Sequence, residues 1–421
     1  MVHRRGSQGV RLHRPGDRPL VAQGELLSTS VVVVSHRPGP GLAACLESVM
    51  AQADEVLVVD NGSGGGASRI ARSCGAAAVT LRENRGFAGG VNRGLAKATG
   101  DTLALLNDDA VASPGWLSSA TSHLEDATVA AVGPRVVLAG RYLEIRLDDD
   151  SFGAEGDSRR LGRRIVSAAV NGVDVLGDLV GAGVHALEMA DAGGGAGEPS
   201  RWRWTTGHDA FYAPVAEGGG EIELRLDGEA VRPARVVDLI NSAGSYLRRD
   251  GYVGDIGADT PDAGHFDQVE ERFGISGAAF VTSREMLERV GRFERRYFAY
   301  YEDVDWCWRA RLMGLRVIYD PSVSIRHERG ATSGGMGSRR VRFLSERNRL
   351  LTLWRNGPMT LASRQTWRKR RGGGDDGVAE VISRMVPRAL AERAVLRRKW
   401  ALSCEEVFER WAGVEAPAVP A

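Results

Sequence analysis

The chain has 421 residues, 43% hydrophobic and 26% charged, which is enough apolar material for a large globular core. Its formal net charge of +1 gives no overall reason to expect nucleic-acid binding, although both ends of the chain are basic. Four cysteines lie far apart without a CxxC pair, which argues against a zinc ribbon or a disulfide framework and favours a reducing compartment.

The hydrophobicity pattern contains no evident targeting or membrane-spanning signal. No apolar stretch of the secretory type follows the basic first twenty residues, and no run approaches 18 apolar residues. We therefore expect residues 1–28 to be a disordered lead-in. We also expect the protein to be cytoplasmic, or peripheral on the inner face of the cell membrane.

Strand and helix patterns alternate at short spacing over residues 29–137. The runs "TSVVVVSH", "EVLVVD", "AAAVTLRE" and "DTLALLNDD" are of the kind buried in a parallel sheet, and a helical pattern follows each of them. This alternation predicts the nucleotide-binding half of a doubly wound, mostly parallel α/β sheet. In "SPGWLSSATSHL", Ser113 is predicted to cap the helix that follows the fourth strand.

The alternation breaks near Leu138, and residues 138–240 are predicted to be a β-rich insertion because Gly, charge and strand-like segments dominate there. Trp202 and Trp204 share one face of a predicted strand, which favours packing in the core of the insertion over stacking on a sugar.

The α/β pattern returns over residues 241–356, the second half of the predicted sheet domain. Residues 357–421 are predicted to be a basic helical region, since eleven Lys and Arg stand against four Asp and Glu between Arg364 and Trp400. This region could lie on anionic lipid; a solvated tail or an oligomer contact is the alternative.

Polar residues follow three successive predicted strands. Asp60 ends the second strand, "ENRGFAGG" follows the third, and Asn107–Asp109 end the fourth. Ligands bind beyond the carboxyl ends of strands in open α/β sheets, although a single Asp there is often only a helix cap. Adjacent carboxylates in "LLNDDA" suit Mg²⁺ or Mn²⁺, which could bridge a diphosphate; a capped turn is the alternative. P-loop and GxGxxG dinucleotide patterns are absent from the sequence.

The stretch "FAYYEDVDWCWRARLMG" sets Glu302, Asp303 and Asp305 beside tryptophans and arginines. It could be a solvated helix start, or a carboxylate held in a semi-apolar cleft for chemistry. Asp305 is predicted to support the helix through an i,i+4 pair with Arg309. A carboxylate that is partly desolvated and within reach of a hydroxyl suits the role of a general base.

The stretches "VLVVDNGSGGG", "ENRGFAGGVNRGL", "LALLNDDA" and "YYEDVDWCWRARLMG" together resemble the family 2 inverting glycosyltransferases, especially the rhamnosyltransferase-like branch that builds bacterial cell-wall and surface polysaccharides. The resemblance covers roughly residues 29–137 and 240–356, and the insertion is not part of the common core. It implies a GT-A fold, a UDP- or dTDP-linked sugar donor, Mg²⁺ or Mn²⁺, and a glycan or polyprenyl-linked acceptor.

The resemblance also assigns roles to residues by motif. It places Asp60, Asn84, Arg85, Gly86, Asn107 and Asp108 on the donor, Asp109 and His327 on the metal, and Gly277 and Ala278 on the acceptor side. Asn107 departs from the first Asp of a DXD motif, which puts metal affinity in doubt. The base falls in the acidic motif, where Asp303 is preferred over Glu302.

Two other functions compete with glycosyl transfer. A sugar-phosphate nucleotidyltransferase would need a Gly-rich, cationic loop after the first strand, and "SHRPGPGLAAC" has a single Arg. A non-catalytic sugar-binding or partner-binding protein on the same fold predicts decay of the acidic motifs, yet NDD and EDVD are both present.

Overall fold

The computed structural model describes most of the chain, including both predicted halves of the sheet domain. The described residues are 28–146, 152–153, 159–181, 184–185, 187–190, 200–206, 210–215, 222–226, 229–230, 235–328, 339–372 and 377–413. The predicted lead-in falls almost entirely outside them.

Strands and helices alternate through the first part of the chain, in the places where the hydrophobic runs predicted them. In order these are β1 Thr29–Ser35, α1 Gly41–Met50, β2 Glu55–Asn61, α2 Gly66–Ser73, β3 Ala77–Leu81, α3 Gly86–Leu95, β4 Thr102–Asn107, β5 Ala110–Ala112, α4 Trp116–Leu124 and β6 Val129–Leu138.

Short strands then dominate up to residue 237. They are β7 Arg141–Ile145, β8 Phe152–Gly153, β9 Arg160–Leu161, β10 Arg164–Val170, β11 Val173–Asp174, β12 Glu188–Ala190, β13 Ser200–Trp204, β14 Phe211–Val215, β15 Ile222–Leu226, β16 Glu229–Ala230 and β17 Arg235–Val237.

The remainder of the chain mixes strands with longer helices. It contains β18 Ile240–Ser242, β19 Ser245–Leu247, β20 Val253–Asp255, β21 Glu270–Glu271, β22 Ala279–Ser283, α5 Arg284–Val290, α6 Glu302–Leu312, β23 Arg316–His327, α7 Arg339–Asn356, α8 Met359–Arg371, α9 Val378–Leu396 and α10 Cys404–Trp411. None of the described helices combines the length and apolar composition that crossing a membrane requires.

A ten-stranded mixed sheet forms the centre of the molecule. Its main order is β21-β23-β6-β22-β4-β1-β2-β3, and β18 and β5 pair at the side with β6 and β23. The run β3-β2-β1-β4 is parallel, as is the pair β6-β23, whereas β22 lies antiparallel between β4 and β6.

Both faces of this sheet are buried, which explains the continuous apolar runs of the sequence. Along β1, Val31 and Val33 pack in one cluster with α1, α2 and α4. Val32 and Val34 pack on the opposite face with α3, α5 and α6. Successive side chains of a strand point to opposite faces, so a strand covered on both sides needs an apolar residue at every position.

The C-terminal helices build a third cluster against the outer side of α6. Trp308 and Leu312 of α6 pack there with residues of α7, α8, α9 and α10. The helical C-terminal region predicted from the sequence is therefore present, and it supports the element that carries the acidic motif.

Two predictions from the sequence differ from the structure. Ser113 does not cap α4, because the capping position is Gly115 and the Ser113 hydroxyl instead contacts Ser324. Trp202 and Trp204 are only half-buried, while Arg203 between them is buried and donates to the carbonyl oxygens of neighbouring loops. A guanidinium that finds backbone acceptors can thus occupy the inward face of a strand.

Candidate functional site

The strand registers align the three predicted strand ends: β1 pairs with β2 on one side and β4 on the other, and β2 pairs with β3 up to Leu81. Ser35 at the end of β1 lies beside Asp60 of β2, and Val34 lies beside Asn107 of β4. Because these strands are parallel, their carboxyl ends meet at one edge of the sheet, and the structure places the polar residues there as the pattern predicted.

Asp60 is fully buried at this edge, and its carboxylate accepts hydrogen bonds from two backbone N–H groups. Ser63 donates to one oxygen at 2.9 Å and Ser68 to the other at 3.1 Å. Burial alone would raise the pKa of Asp60, but these hydrogen bonds outweigh it and the pKa lies below its usual value. The carboxylate thereby fixes the turn into α2, and its contact with a donor stays a prediction.

Asn84 belongs to a small amide network that shapes the loop before α3. Its Oδ1 accepts from the Gly86 N–H at 2.8 Å and from Asn61 Nδ2 at 3.2 Å. Asn61 Oδ1 in turn accepts from the Arg85 N–H at 2.9 Å, while the Arg85 side chain extends toward solvent beside Glu83. Asn61 is a residue whose role the sequence did not single out, although it lies within the quoted VDNGS motif.

Gly86 brings this loop against the acidic segment. Its φ is +71°, and a Cβ built on it would lie 2.3 Å from the Phe298 carbonyl oxygen. The N–H of Ala88, two residues on, donates to that same oxygen at 3.2 Å. Only glycine allows both the left-handed conformation and this close approach.

Asn107, Asp109 and His327 converge where β4 ends and β23 ends. His327 Nε2 lies 3.2 Å from Asp109 Oδ1 and 3.2 Å from Asn107 Nδ2. Its other ring nitrogen, Nδ1, is 2.8 Å from Asn241 Oδ1. Since a carbonyl oxygen can only accept, Nδ1 donates to Asn241, and Nε2 is the ring nitrogen that faces Asn107 and Asp109.

This donor set fits a divalent cation. A ring nitrogen and a carboxylate oxygen that bind one octahedral ion at about 2.1 Å lie about 3 Å apart, close to the separation seen here. Asn241 holds the tautomer that leaves Nε2 available, as the outer partners of ligating histidines commonly do. Within the described part of the chain, no three His, Cys, Asp or Glu side chains form a metal cluster, so protein ligands would fill only part of the coordination shell.

Asp108 is the neighbour of this group and is largely removed from water. Burial raises its pKa to about 6, and the adjacent Asp109 carboxylate adds to the rise. A bound cation or a ligand's positive groups would favour the ionised form.

Glu302 and Asp303 begin helix α6 and differ in their surroundings. Glu302 is buried, its Oε2 has no hydrogen-bond partner among the described residues, and burial together with the Asp303 charge raises its pKa to about 8. Asp303 is half-buried and accepts from the Gly277 and Val304 N–H groups, both at 2.7 Å. Burial raises the pKa of Asp303, and these hydrogen bonds limit the rise.

Asp305, the third carboxylate of the motif, has a structural role. It is completely buried and bonded to Arg309 and Arg355, each at 2.9 Å, and to Asn356. Burial would raise its pKa, but the two guanidinium groups hold it far below the usual range. The predicted i,i+4 pair with Arg309 is confirmed, and the link to α7 through Arg355 and Asn356 adds to it.

The loop before β22 joins the two acidic motifs. Gly277 donates to Asp303, and the carbonyl of the next residue, Ala278, accepts from the Asn107 N–H at 2.9 Å. The structure therefore brings together the residues predicted from two segments about 190 positions apart, with Gly277 and Ala278 between them. Asn241, from a segment without a recognisable motif, completes the group.

Comparison with known proteins matches the first part of the chain, which contains Asp60, Asn84 and Asn107–Asp109 but not the acidic motif at Glu302. Residues 30–165 match the family model described as glycosyl transferase family 2. The chain is 32% identical over 111 residues to the pre-mycofactocin glycosyltransferase of Mycobacterium tuberculosis strain CDC 1551, an alignment covering 26% of this chain and 23% of that protein. It is also 32% identical over 117 residues to glycosyltransferase AglE of Haloferax volcanii, covering 25% of this chain and 38% of that protein.

The chain thus spans well under half the length of these curated relatives. Among solved structures, it resembles that of GalNAc-T7 with UDP, GalNAc and Mn²⁺ at a TM-score of 0.52 and 13% identity, over 92% of this chain and 57% of that one. This likeness confirms the predicted GT-A fold, with its mixed central sheet and flanking helices.

Proposed function

We propose that the protein transfers a hexosyl or rhamnosyl group, with inversion, from a nucleoside-diphosphate sugar to a hydroxyl of a glycan acceptor. The observation that carries this proposal is the direct bridge from Asp303 through Gly277 and Ala278 to Asn107. It holds a carboxylate next to a candidate cation-binding pair. The match of residues 30–165 to the family model supports the same reaction class.

Asp303 is proposed as the general base. Inversion requires a base on the acceptor side, opposite the leaving diphosphate, and Asp303 is the half-exposed member of the acidic pair. Two backbone N–H donors favour its ionised form, whereas Glu302, with a pKa of about 8, stays protonated at neutral pH. Glu302 thereby keeps a second negative charge away from Asp303.

Asp109 and His327 are proposed to hold Mg²⁺ or Mn²⁺. When bound, such an ion neutralises the charge that develops on a departing diphosphate. We propose that Asp60, Asn84, Arg85, Gly86, Asn107 and Asp108 line the donor side, and Gly277 and Ala278 the acceptor side. A UDP- or dTDP-linked sugar is the proposed donor.

The test combines a donor screen with variants of the acidic pair. Purified protein is mixed with Mn²⁺ and a panel of UDP-, dTDP- and GDP-linked sugars, and release of the nucleoside diphosphate is measured with and without glycan acceptors. With the donor so identified, Asp303→Asn is expected to lower kcat about 10²- to 10⁴-fold while donor affinity stays unchanged.

Two controls accompany this experiment. Glu380→Gln removes an exposed carboxylate from α9 and is expected to leave kcat unchanged. Glu302→Gln keeps a neutral side chain where Glu302 is proposed to be protonated, so it is expected to reduce kcat far less than Asp303→Asn. Full turnover by Asp303→Asn would disprove the assignment of the base.

We further propose that the C-terminal helices contact an anionic membrane surface, where a polyprenyl-linked acceptor of cell-wall or surface polysaccharide synthesis would be held. Helices α8 and α9 and the turn after them carry eleven Lys and Arg against Glu380 and Glu392. Trp367 is 54% exposed among these cations. Basic surfaces with an exposed tryptophan are attracted to the anionic inner leaflet.

A further inference from the structure

The segment that leads into the acidic motif has an unfavourable backbone conformation. Phe298, Tyr300 and Tyr301 have φ angles of +65°, +70° and +69°. A left-handed conformation such as that of Tyr301 costs a non-glycine residue about 1–2 kcal/mol. Phe298, with ψ of −63°, is the centre of a strained γ-turn in which the Ala299 N–H donates to the Tyr297 carbonyl oxygen at 2.7 Å. The local sequence therefore does not favour this conformation, and contacts from elsewhere must hold it.

Asn348, in the middle of α7, supplies the most direct of these contacts. It is completely buried, and its amide nitrogen donates to the carbonyl oxygens of Tyr297, Ala299 and Tyr300 at 3.0, 2.8 and 2.7 Å. Two N–H donors thus serve three acceptors of one short turn. A buried amide that saturates in this way fixes the path of the chain it contacts.

Arg347 completes the arrangement around the same turn. Its guanidinium donates to the carbonyl oxygens of Arg296 and Tyr297, each at 2.9 Å. It also donates to Asn348 Oδ1 at 2.9 and 2.8 Å, which fixes the orientation of the amide. The amide nitrogen of Asn348 is therefore the atom that faces the turn.

Helix α7 is itself anchored to α6. Arg355 and Asn356, two turns beyond Asn348, bind Asp305 inside α6 at 2.9 Å each. Helix α7 thus contacts α6 at two points: Asp305 within α6, and the turn that precedes α6. A turn held between two such points determines where the first side chains of α6 lie.

We propose that Asn348, oriented by Arg347, is a positioning residue for the transfer reaction. It holds residues 297–301 in this strained turn, and so directs the Asp303 carboxylate to Gly277 and toward the acceptor. The inference rests on the proposed function of Asp303. It goes beyond that function by assigning a role in the reaction to α7, which contributes no residue to the acidic or NDD motifs.

The experiment compares Asn348→Ala with Leu353→Ala in the full-length protein. Leu353 lies on the same helix, is equally buried and packs against Gly251 and Gly357, so its truncation tests loss of stability alone. For each variant, kcat and donor KM are measured with the best donor, together with amide hydrogen exchange of residues 297–303. Arg347→Met serves as a second variant if Asn348→Ala does not fold.

Asn348→Ala is expected to lower kcat about 10²-fold with donor KM changed less than threefold, because a small displacement of a reacting group has effects of this size. Exchange of residues 297–303 should accelerate in this variant and not in Leu353→Ala. Unchanged kcat, or equal losses in both variants, would refute the proposal. A wild-type protein inactive with every donor would refute the proposed function instead, and the exchange data would then decide whether Asn348 holds the turn.

Discussion

At the scale of single residues, the acidic pair shows how two adjacent carboxylates acquire different properties. Glu302 is buried and its Oε2 finds no partner in the described part of the chain, whereas Asp303 receives two backbone hydrogen bonds. Desolvation disfavours a charge, and hydrogen bonds to the charged form restore part of the loss. Burial therefore raises the pKa of both carboxyl groups, and the Gly277 and Val304 N–H groups limit the rise for Asp303.

The raised pKa of Glu302 predicts a pH-dependent stability. The folded state keeps a proton that the unfolded chain releases near pH 4.5, so stability falls as the pH rises from about 4.5 to about 8. Glu302→Gln cannot ionise and should escape this loss. We expect the variant to gain roughly 2–4 kcal/mol relative to wild type between pH 4 and pH 9, measured by urea unfolding.

The control for this series is Glu380→Gln, whose unfolding free energy should run parallel to that of wild type at all pH values. If Glu302→Gln also ran parallel, Glu302 would not be a protonated group in the folded protein.

The sequence motifs predicted the charged residues of the site and the neutral residues inside those motifs, but not Asn241 or Asn348. Asp303, Asp109 and His327 have chemistry that stands out in a short pattern. Asn241 and Asn348 act through amides whose partners lie 86 and about 50 positions away. No local periodicity or spacing marks such a residue, because its role depends entirely on the tertiary fold.

At the scale of elements, the contact between Gly86 and Phe298 joins the start of α3 to the turn before α6. This contact makes the loop before α3 and the acidic motif mutually dependent, because neither backbone can shift without displacing the other. A close backbone approach of this kind requires glycine on one side.

Gly64 provides a matched control for Gly86. Both have φ near +72°, but a Cβ on Gly64 would meet no described residue within 4 Å, whereas one on Gly86 would clash with Phe298. Gly64→Ala should cost about 1–2 kcal/mol through its backbone alone. Gly86→Ala should cost about 1–3 kcal/mol more and lower kcat, as measured by urea unfolding and donor turnover. Equal losses of stability would show that the turn accommodates the methyl group.

Elements defined by a local sequence pattern were predictable, whereas the placement of elements that depends on distant segments was not. Strands β1 to β4 and helix α6 follow from apolar runs and from the spacing of charges within one element. The antiparallel placement of β22 between β4 and β6 depends on pairing between distant segments. Ser113 precedes a helix in a typical capping pattern, yet its hydroxyl contacts the hydroxyl of Ser324 in β23 and does not cap the helix.

At the scale of the whole molecule, charge is distributed very unevenly. The net charge of the chain is only +1, while α8, α9 and the following turn concentrate eleven cations. These helices also pack against α6 in one hydrophobic cluster. The basic helices are therefore in the same packed unit as the helix that carries the acidic motif.

Membrane contact predicts binding to vesicles of mixed phosphatidylglycerol and phosphatidylcholine, and none to phosphatidylcholine alone. Each cation near such a surface contributes about 1 kcal/mol, so replacing Arg368, Arg370 and Arg371 with Gln should weaken binding about 10²-fold. Added salt should weaken it too. Replacing the exposed Arg69, Arg72 and Arg93 with Gln is the charge-matched control, and co-sedimentation measures both. Equal weakening by the two sets would contradict a specific basic surface.

The pairing of β6 with β18 determines how freely the chain can vary between these strands. Val137 of β6 and Ile240 of β18 are cross-strand neighbours, so the chain leaves and re-enters the sheet at nearly the same place. About a hundred residues can be lengthened, shortened or exchanged there during evolution without moving the central sheet. Variation of this kind is not expected at Asn241, one residue after Ile240, because the Asn241 amide oxygen accepts a hydrogen bond from the His327 ring. Related chains should therefore diverge most before this position and least at it.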